Sequence, residues 1–403
     1  MTNRVVVVGA GVAGTAAALT AARAGAQVTL IDGGTGASTL ATGALDAVFW
    51  PHAPAHPAPI GRAAREVLDA LGGYALPDGG ARLLTTSGVA RPARGHDAAL
   101  LDIMPLAGSS IGVVRCERPG WDGGALARAW GESFQPFDAV VIRHVDERVL
   151  PDADFAMRHD DDDRLGWLAD RLRDALTRAG ARIRAIVLPP CLGIDRPKGR
   201  ALSERVGVAC GEAIALPGGP SGLRFERARD RALVAAVDRV PGRATSLARS
   251  DDGWRIAMGD GPAREGDAVV LATGGLIGGG VEYAPAESIV ASALPPFGRP
   301  PFRLTVDAPL TLGANGRPLE LPGTLFGIAP ESIAWPFARD ALADRVGVLA
   351  DVEGRTESGL FVAGDLRADS PRAWLDVLAT GVAAGAAAAR ASRQGTGSAA
   401  MAR

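Results

Sequence analysis

The sequence predicts an α/β fold of two or three domains, and three observations carry that expectation. The chain opens with four consecutive valines, Val5 to Val8, which run straight into Gly9-Ala10-Gly11-Val12-Ala13-Gly14 and then into an Ala-rich segment of helical length. From about Ser110 strand-like and helix-like segments alternate again, the pattern of a mostly parallel sheet. With 403 residues, 47% of them hydrophobic, the chain can build more than one core.

Valines at consecutive positions suit a strand buried on both faces. The G-x-G-x-x-G that follows has the spacing of a dinucleotide-binding turn. Gly9 permits the tight turn, Gly11 lets the backbone approach a pyrophosphate, and Gly14 lets the helix lie close to the strand. The diphosphate would rest on the helix N-terminus that Val12 and Ala13 begin, where unpaired N–H groups and the dipole favour negative charge. A second strand, Val28 to Ile31, ends in Asp32, about 20 residues on, where a carboxylate can hydrogen-bond an adenosine ribose. Strand, helix and acid together point to dinucleotide binding.

The stretch from Gly33 to Trp50 is rich in small residues and contains Ser38, Thr39, Thr42, Gly43 and Asp46. Such a passage can wrap closely around a flat ligand, and it equally suits a loop with a helix cap at Ser38 or Thr39. His52 and His56 follow in a Pro/His/Ala-rich stretch, where the intervening prolines forbid a continuous helix and argue against a metal pair. A short helix is expected over 61–71 and a hairpin or strand over 81–89. In the second region strands are expected at 111–116, 139–142 and 183–188, with helices at 124–130 and 165–179. Leu165, Leu168, Leu172 and Leu176 recur near helical spacing, and the aspartates 160–163 before them suit a solvated helix entry. The Gly/Pro loop that begins at Leu216 leads into a helix with Ser221 at a cap position and Arg224 in the first turn. That arrangement suits an anion, or a capped helix whose arginines are balanced by Glu226 and Asp230. Strands follow at 244–247, 254–258 and 267–273, the last ending in Thr273 and Gly274. The run from Leu360 to Gly364 and Asp365 precedes an Ala-rich helix over 374–390 that contains Thr380 and Gly381, and 391–403 reads as a frayed tail.

Composition excludes several classes. Basic and acidic residues, 43 and 45 in number, are mixed along the chain, so no basic face recommends nucleic acid. Cys116, Cys191 and Cys210 have no C-x-x-C spacing and are too few for an iron–sulfur cluster or a disulfide framework, which suits a reducing cytoplasm. The first strand starts too early for a signal peptide, and no apolar run of spanning length is free of glycine, proline or charge. Any attachment to the inner face of a membrane is therefore expected through a partner. The five histidines are scattered, and spacing builds neither a catalytic triad nor a metal cluster. No second G-x-G-x-x-G appears, which argues against a separate nicotinamide site.

The G-x-G-x-x-G unit with Asp32, the strand end Val269-Val270-Leu271-Ala272-Thr273-Gly274 and the strand end Leu360-Phe361-Val362-Ala363-Gly364-Asp365 resemble, in order and separation, the FAD-binding domain of the glutathione-reductase-like flavoprotein superfamily. The resemblance implies a discontinuous Rossmann-like FAD-binding domain, residues 1–90, 237–280 and 351–403, capped by an inserted α/β substrate domain, residues 91–236 and 281–350. It implies FAD, or alternatively FMN, held by Gly9, Gly11, Val12, Ala13, Gly14, Asp32, Ser38, Thr42, Gly43, Thr273, Gly274, Gly364, Asp365, Thr380 and Gly381. Thr273 and Gly274 would lie by the adenosine half and Asp365 on the ribityl chain. The last helix would point its N-terminus at the flavin, where its dipole favours the charge of the reduced ring.

Further segments are similar, collinearly and over nearly the whole chain, to the B subunit of bacterial anaerobic glycerol-3-phosphate dehydrogenase. They are 42–46, the strand end 188–194 with Pro190, Cys191 and Gly193, the loop with Ser221 and Arg224, and 271–281. That similarity implies a subunit that oxidises sn-glycerol 3-phosphate to dihydroxyacetone phosphate beside a partner flavoprotein and an iron–sulfur subunit, with menaquinone as the onward acceptor. Hydride transfer to flavin needs a base, for which Asp46 and His52 are candidates, and a clamp on the small anionic substrate, for which Ser221 and Arg224 are. The 366–375 segment lacks the glycine-rich passage expected before the last helix, which leaves another hydroxy or amino acid open as substrate. A non-catalytic flavin-binding, electron-carrying or assembly role also stays open. Without a nicotinamide fingerprint or a redox cysteine pair, electrons would leave to another protein, a quinone or oxygen.

Overall fold

Why four valines stand in a row becomes clear from the position of their strand. The computed structural model describes residues 3–46, 60–179, 183–251, 253–275, 280, 282–283, 305–307, 310, 312–314, 316–318, 327–328 and 345–400. The chain divides into two compact units, the first comprising Met1–Ala37, Ile60–Val67 and Ala232–Arg403, the second Ser38–Pro59 and Leu68–Arg231.

In the first unit β1 (Arg4–Val8) leads through the glycines into α1 (Val12–Arg23) and β2 (Gln27–Asp32). The chain returns later with β3 (Asp238–Pro241), β4 (Ala268–Leu271), β5 (Arg355–Glu357), β6 (Leu360–Val362) and α2 (Trp374–Ala400). The sheet order is β3-β2-β1-β4-β6-β5, parallel throughout except for the final antiparallel pair. Central β1 puts Val6 between Thr29 and Val269. Val6 and Val8 pack with Val269, Leu271 and Leu360 against Leu247, Trp254 and Ile256. Those last three come from an antiparallel meander, Ala244–Ser250, Gly253–Met258 and Arg264–Gly266. Alternation turns Val5 and Val7 to the opposite face, where α1 and α2 pack on the sheet and on each other. All four valines are at most 3% exposed, and burial of each contributes about 1.5–3 kcal/mol relative to exposure.

The second unit has its own parallel sheet, ordered Ala209–Glu212, Ile183–Leu188, Ser110–Arg115, Phe134–Asp138. Ile186 and Leu188 face one core with Leu165, Leu168 and Leu172 of the helix Asp162–Ala179. Ala185 and Val187 face the other with Trp121 and Leu126. A discontinuous Rossmann-like α/β fold with an inserted α/β domain is therefore the architecture of the chain.

Several details differ from expectation. The strand expected at 139–142 is instead Phe134–Asp138, an edge strand in which Pro136 pairs with Val113. At an edge the missing proline N–H costs no ladder bond. Ala139 and Val141 are buried and Val140 is exposed, so the apolar run has strand-like alternation without a pairing partner. The chain enters the second unit at Ser38 and, after Ile60–Val67, again at Leu68, where a boundary near 91 was expected; Ala44–Leu45 and Tyr74–Ala75 pair antiparallel there with Gly95–Asp97. Described pieces of 281–350, placed with the cap by expectation, belong to the first unit, where Thr305 pairs with Ser246. Helix α2 continues to Ala400 where fraying was expected from Ala391. Gly395 and Gly397 each lower helix propensity by about 1 kcal/mol but do not block the backbone as proline would. Among the described residues no helix is long and apolar enough to cross a membrane.

Candidate cofactor site and the charged core of the second unit

Three parallel strands end side by side in the first unit, since Ala272 N–H donates to the Val8 carbonyl (2.8 Å) and Ala363 N–H to the Leu271 carbonyl (2.9 Å). The carboxyl edge of such a sheet is where ligands bind. At the end of β1, Gly9 turns with a φ of 107° and donates to the Ile31 carbonyl at 2.9 Å. A Cβ at Gly14 would collide with the Gly9 carbonyl, so that glycine is what lets α1 start directly against the strand. Gly11, the N-cap of α1, has no side chain to fold over the helix end. The positive pole of the helix dipole lies at this end, at Val12 and Ala13.

Two polar atoms at this edge are buried without a hydrogen-bond partner, Thr273 Oγ1 beyond β4 and Asp365 Oδ1 beyond β6. Burial raises the pKa of Asp365, against a lowering influence of Arg372. Arg372 itself donates to the Asp365 and Val346 carbonyls. Leaving such groups unpaired costs about 1–3 kcal/mol each. Hydroxyl groups of a dinucleotide would supply the missing partners, so the glycine turn, the start of α1 and the two orphaned oxygens fit FAD.

The remaining candidates are more committed. Asp32 accepts at Oδ2 from Arg239 Nε (2.9 Å) and at Oδ1 from Gly34 N–H (2.9 Å), so a ribose would share an occupied carboxylate. Thr380 Oγ1 accepts from Gly364 N–H (2.9 Å) and donates to the Val377 carbonyl (2.8 Å). Gly381 lies where α2 meets the Ala13 carbonyl. These two residues fasten α2 to β6 and α1. Gly274 follows Thr273 at the end of β4.

Ser38, Thr42 and Gly43 belong to the second unit. Ser38 lies in the 3-10 turn Ala37–Leu40 and Thr42 in the loop before Gly43. The structure brings Gly43 against Ser221, whose Oγ would stand 2.6 Å from an added Cβ, and Thr39 against Gly222. Asp46 is paired with Arg91, while its Oδ1 is buried and has no partner. Burial raises its pKa despite Arg91. His52 lies outside the described residues.

Arg224 is corrected from substrate clamp to buried crosslink. It is 4% exposed, and its guanidinium donates to Asp97 Oδ2 (2.5 Å), the Gly193 carbonyl (2.6 Å), Glu212 Oε2 (2.7 Å) and Ser221 Oγ (3.2 Å). Burial alone would lower its pKa, but Asp97 and Glu212 outweigh it and hold the group above its ordinary range. A guanidinium shared by two carboxylates has little charge left for a substrate anion, and Ser221 is spent on the same network. Sequence reasoning missed Asp97 and Glu212; the available signal was a carboxylate closing a parallel strand, Ala209–Glu212. Glu212 also accepts from Cys191 N–H (2.6 Å) and Leu192 N–H, and burial raises its pKa against Arg224. The same carboxyl edge holds Arg164 bonded to Glu147 (2.7 Å) and Arg118 bonded to Asp152 (2.9 Å).

The three cysteines are free, and burial pushes the Cys116 and Cys210 thiols up to about 12 and Cys191 well above its usual value. Neutral buried thiols are poor nucleophiles and metal ligands. Among the described residues no group of three or more His, Cys, Asp and Glu could hold a metal.

Residues 4–88 match the family described as FAD binding domain. No curated protein sequence matches the chain. Among solved structures the chain is similar to thioredoxin reductase of Lactococcus lactis in its FR conformation, with 10% identity over 98% of this chain and 100% of the other, at a TM-score of 0.32. It is similar also to Sdh1 of Mycobacterium smegmatis in complex with UQ1, with 13% identity over 97% and 69% at a TM-score of 0.36. The GidA-related protein from Thermus thermophilus is a third, with 11% identity over 96% and 98% at a TM-score of 0.29. Likeness at this level carries no argument about activity. The glycine cradle and the family match together make the N-terminal segment of this chain part of an FAD-binding domain of Rossmann type, the fold on which flavin-dependent oxidoreductases are built.

Proposed function

We propose that the protein is an FAD-dependent dehydrogenase subunit acting on a small anionic CH–OH donor, with sn-glycerol 3-phosphate as the first substrate to test. The observation that carries this reading is the carboxyl edge of the first unit, where a glycine turn, the start of α1 and two unpartnered buried oxygens converge. Bound FAD supplies a hydride acceptor. Gly9, Gly11 and Gly14 would let its diphosphate approach the start of α1, while Thr273 and Asp365 would hold its hydroxyls. Asp46 is the candidate base: a carboxyl group whose pKa is raised by burial, with one oxygen fixed by Arg91 and the other unpartnered, can take a hydroxyl proton. The substrate class follows from the collinear similarity of residues 42–46, 188–194 and 271–281 to the glycerol-3-phosphate dehydrogenase B subunit. The same similarity suggests that electrons pass to a partner flavoprotein and iron–sulfur subunit and then to quinone.

The test is an anaerobic visible spectrum of the FAD-loaded chain before and after addition of sn-glycerol 3-phosphate. Bleaching on addition supports a catalytic dehydrogenase subunit with that substrate. Bleaching only with another hydroxy or amino acid would move the reading to that donor. Bleaching only in the presence of a partner would make this subunit an electron carrier or assembly component. Failure to retain FAD would refute the proposal.

A further inference from the structure

We propose that the second unit carries an oxyanion site of its own, a cavity that binds a small phosphomonoester. The cavity, of about 640 Å³, is lined by second-unit residues alone, among them Tyr74, Asp97, Arg196, Arg200, Arg224 and Arg231. That volume lies within the roughly 300–1,000 Å³ of small-molecule sites. Four arginines face one carboxylate in this lining, and that carboxylate, Asp97, is already held by Arg224.

Two of the other three cations have no carboxylate of their own. Among the described residues Arg196 and Arg231 make no ion pair, and Arg200 pairs only with exposed Glu204 at 2.8 Å. Their supports are fixed from below. Arg196 follows a loop whose Ile194 and Asp195 N–H groups donate to the Asp160 carboxylate (3.0 and 3.1 Å), and whose Gly193 carbonyl is held by Arg224 at 2.6 Å. Arg200 stands in the first turn of the helix Gly199–Val206, and Arg231 in the last turn of Pro220–Leu233. The buried Arg224 network thus shapes the wall on which free arginines stand.

Forked guanidiniums match phosphate oxygens in pairs, and a phosphomonoester dianion can engage more than one of them at once. A monocarboxylate offers a single planar face and half the charge. Leu71 and Ala228 leave an apolar wall for the organic part of the ligand. The site stands on this geometry whatever substrate meets the flavin.

The experiment is isothermal titration of the FAD-loaded full chain with sn-glycerol 3-phosphate, inorganic phosphate and lactate, each at two salt concentrations. Expected are saturable 1:1 binding of both phosphates, weakened by salt, and binding of lactate at least tenfold weaker. The double variant Arg196→Ala/Arg231→Ala should lose at least tenfold in phosphate affinity, while Arg173→Ala, exposed on another helix, should bind like the parent. Both variants exchange exposed side chains, and an unchanged thermal unfolding midpoint verifies their fold. Equal affinity in the double variant, lactate bound as tightly as phosphate, or no saturable phosphate binding would each overturn the proposal. Binding without flavin bleaching would leave the cavity in place and count against the substrate reading alone.

Discussion

Replacing Arg224 by Ala should destabilise the protein by about 3–5 kcal/mol. The side chain makes charge-assisted bonds to Asp97 at 2.5 Å and Glu212 at 2.7 Å, with both carboxylates no more than 2% exposed. Losing two such bonds at about 1.5–3 kcal/mol apiece gives a total of about 3–6 kcal/mol, in accord with the cost of stranding buried charge. The pH dependence carries a sign. Arg224 opposes the burial that raises the Glu212 pKa, so its removal pushes that pKa further up in the folded state. The folded variant then binds more protons than the unfolded chain as pH rises above the ordinary carboxylate range, and the deficit is larger at pH 8 than at pH 5. Urea unfolding followed by tryptophan fluorescence at both pH values measures it. A variant as stable as the parent, altered only in substrate affinity, would refute the crosslink and restore Arg224 as a substrate clamp.

The remaining expectations follow from the same structure. Gly14→Ala drives a methyl group into the Gly9 carbonyl, so the chain should be purified without FAD and lose about 1–3 kcal/mol, read by flavin absorbance and thermal unfolding. Asp365→Ala removes the unpartnered Oδ1 and should weaken FAD binding by roughly 10- to 100-fold in a fluorescence-quenching titration; unchanged affinity would remove Asp365 from the cofactor site. Asp46→Asn should keep FAD bound and reduce the rate of substrate-driven bleaching by about 10²-fold or more; a wild-type rate would leave the base elsewhere. His159 is buried against Phe155, and burial together with Arg164 lowers its pKa to about 3. Because the folded value lies below the unfolded one, the stability it contributes is present above about pH 6.5 and is lost as pH falls toward 3, by up to about 4–5 kcal/mol. His159→Phe should flatten that limb of the stability profile relative to the parent, and an identical limb would show the group already protonated in the fold.

Helix positions were legible in the sequence wherever a period and a boundary coincided. The leucines of Asp162–Ala179 recur on one face and the helix begins among aspartates, so both its existence and its buried side could be read directly. The edge strand Phe134–Asp138 was not legible, since Pro136 argues locally against a strand and only the neighbouring Val113 makes the pairing. The frayed tail was a matter of composition alone, and composition does not register that no proline interrupts α2 before Ala400.

What the sequence by itself determined is the cofactor cradle. Its requirements are local: four valines for a strand buried on both faces, and glycines at fixed offsets so that one turn can close and one helix can approach, all within residues 5–14. What only the tertiary structure decided is where the charges go. Arg224 meets Asp97 across 127 positions, and Asp32 meets Arg239 across 207. The reason is that a charge is compensated by whichever opposite charge folding brings within bonding distance, and spacing along the chain holds no record of that encounter. An arginine beside a glycine loop therefore reads as an anion clamp until its buried carboxylates are seen. Of the arginines that line the second unit's cavity, Arg196 and Arg231 are the two without an ion pair among the described residues, and the proposed oxyanion site rests on them.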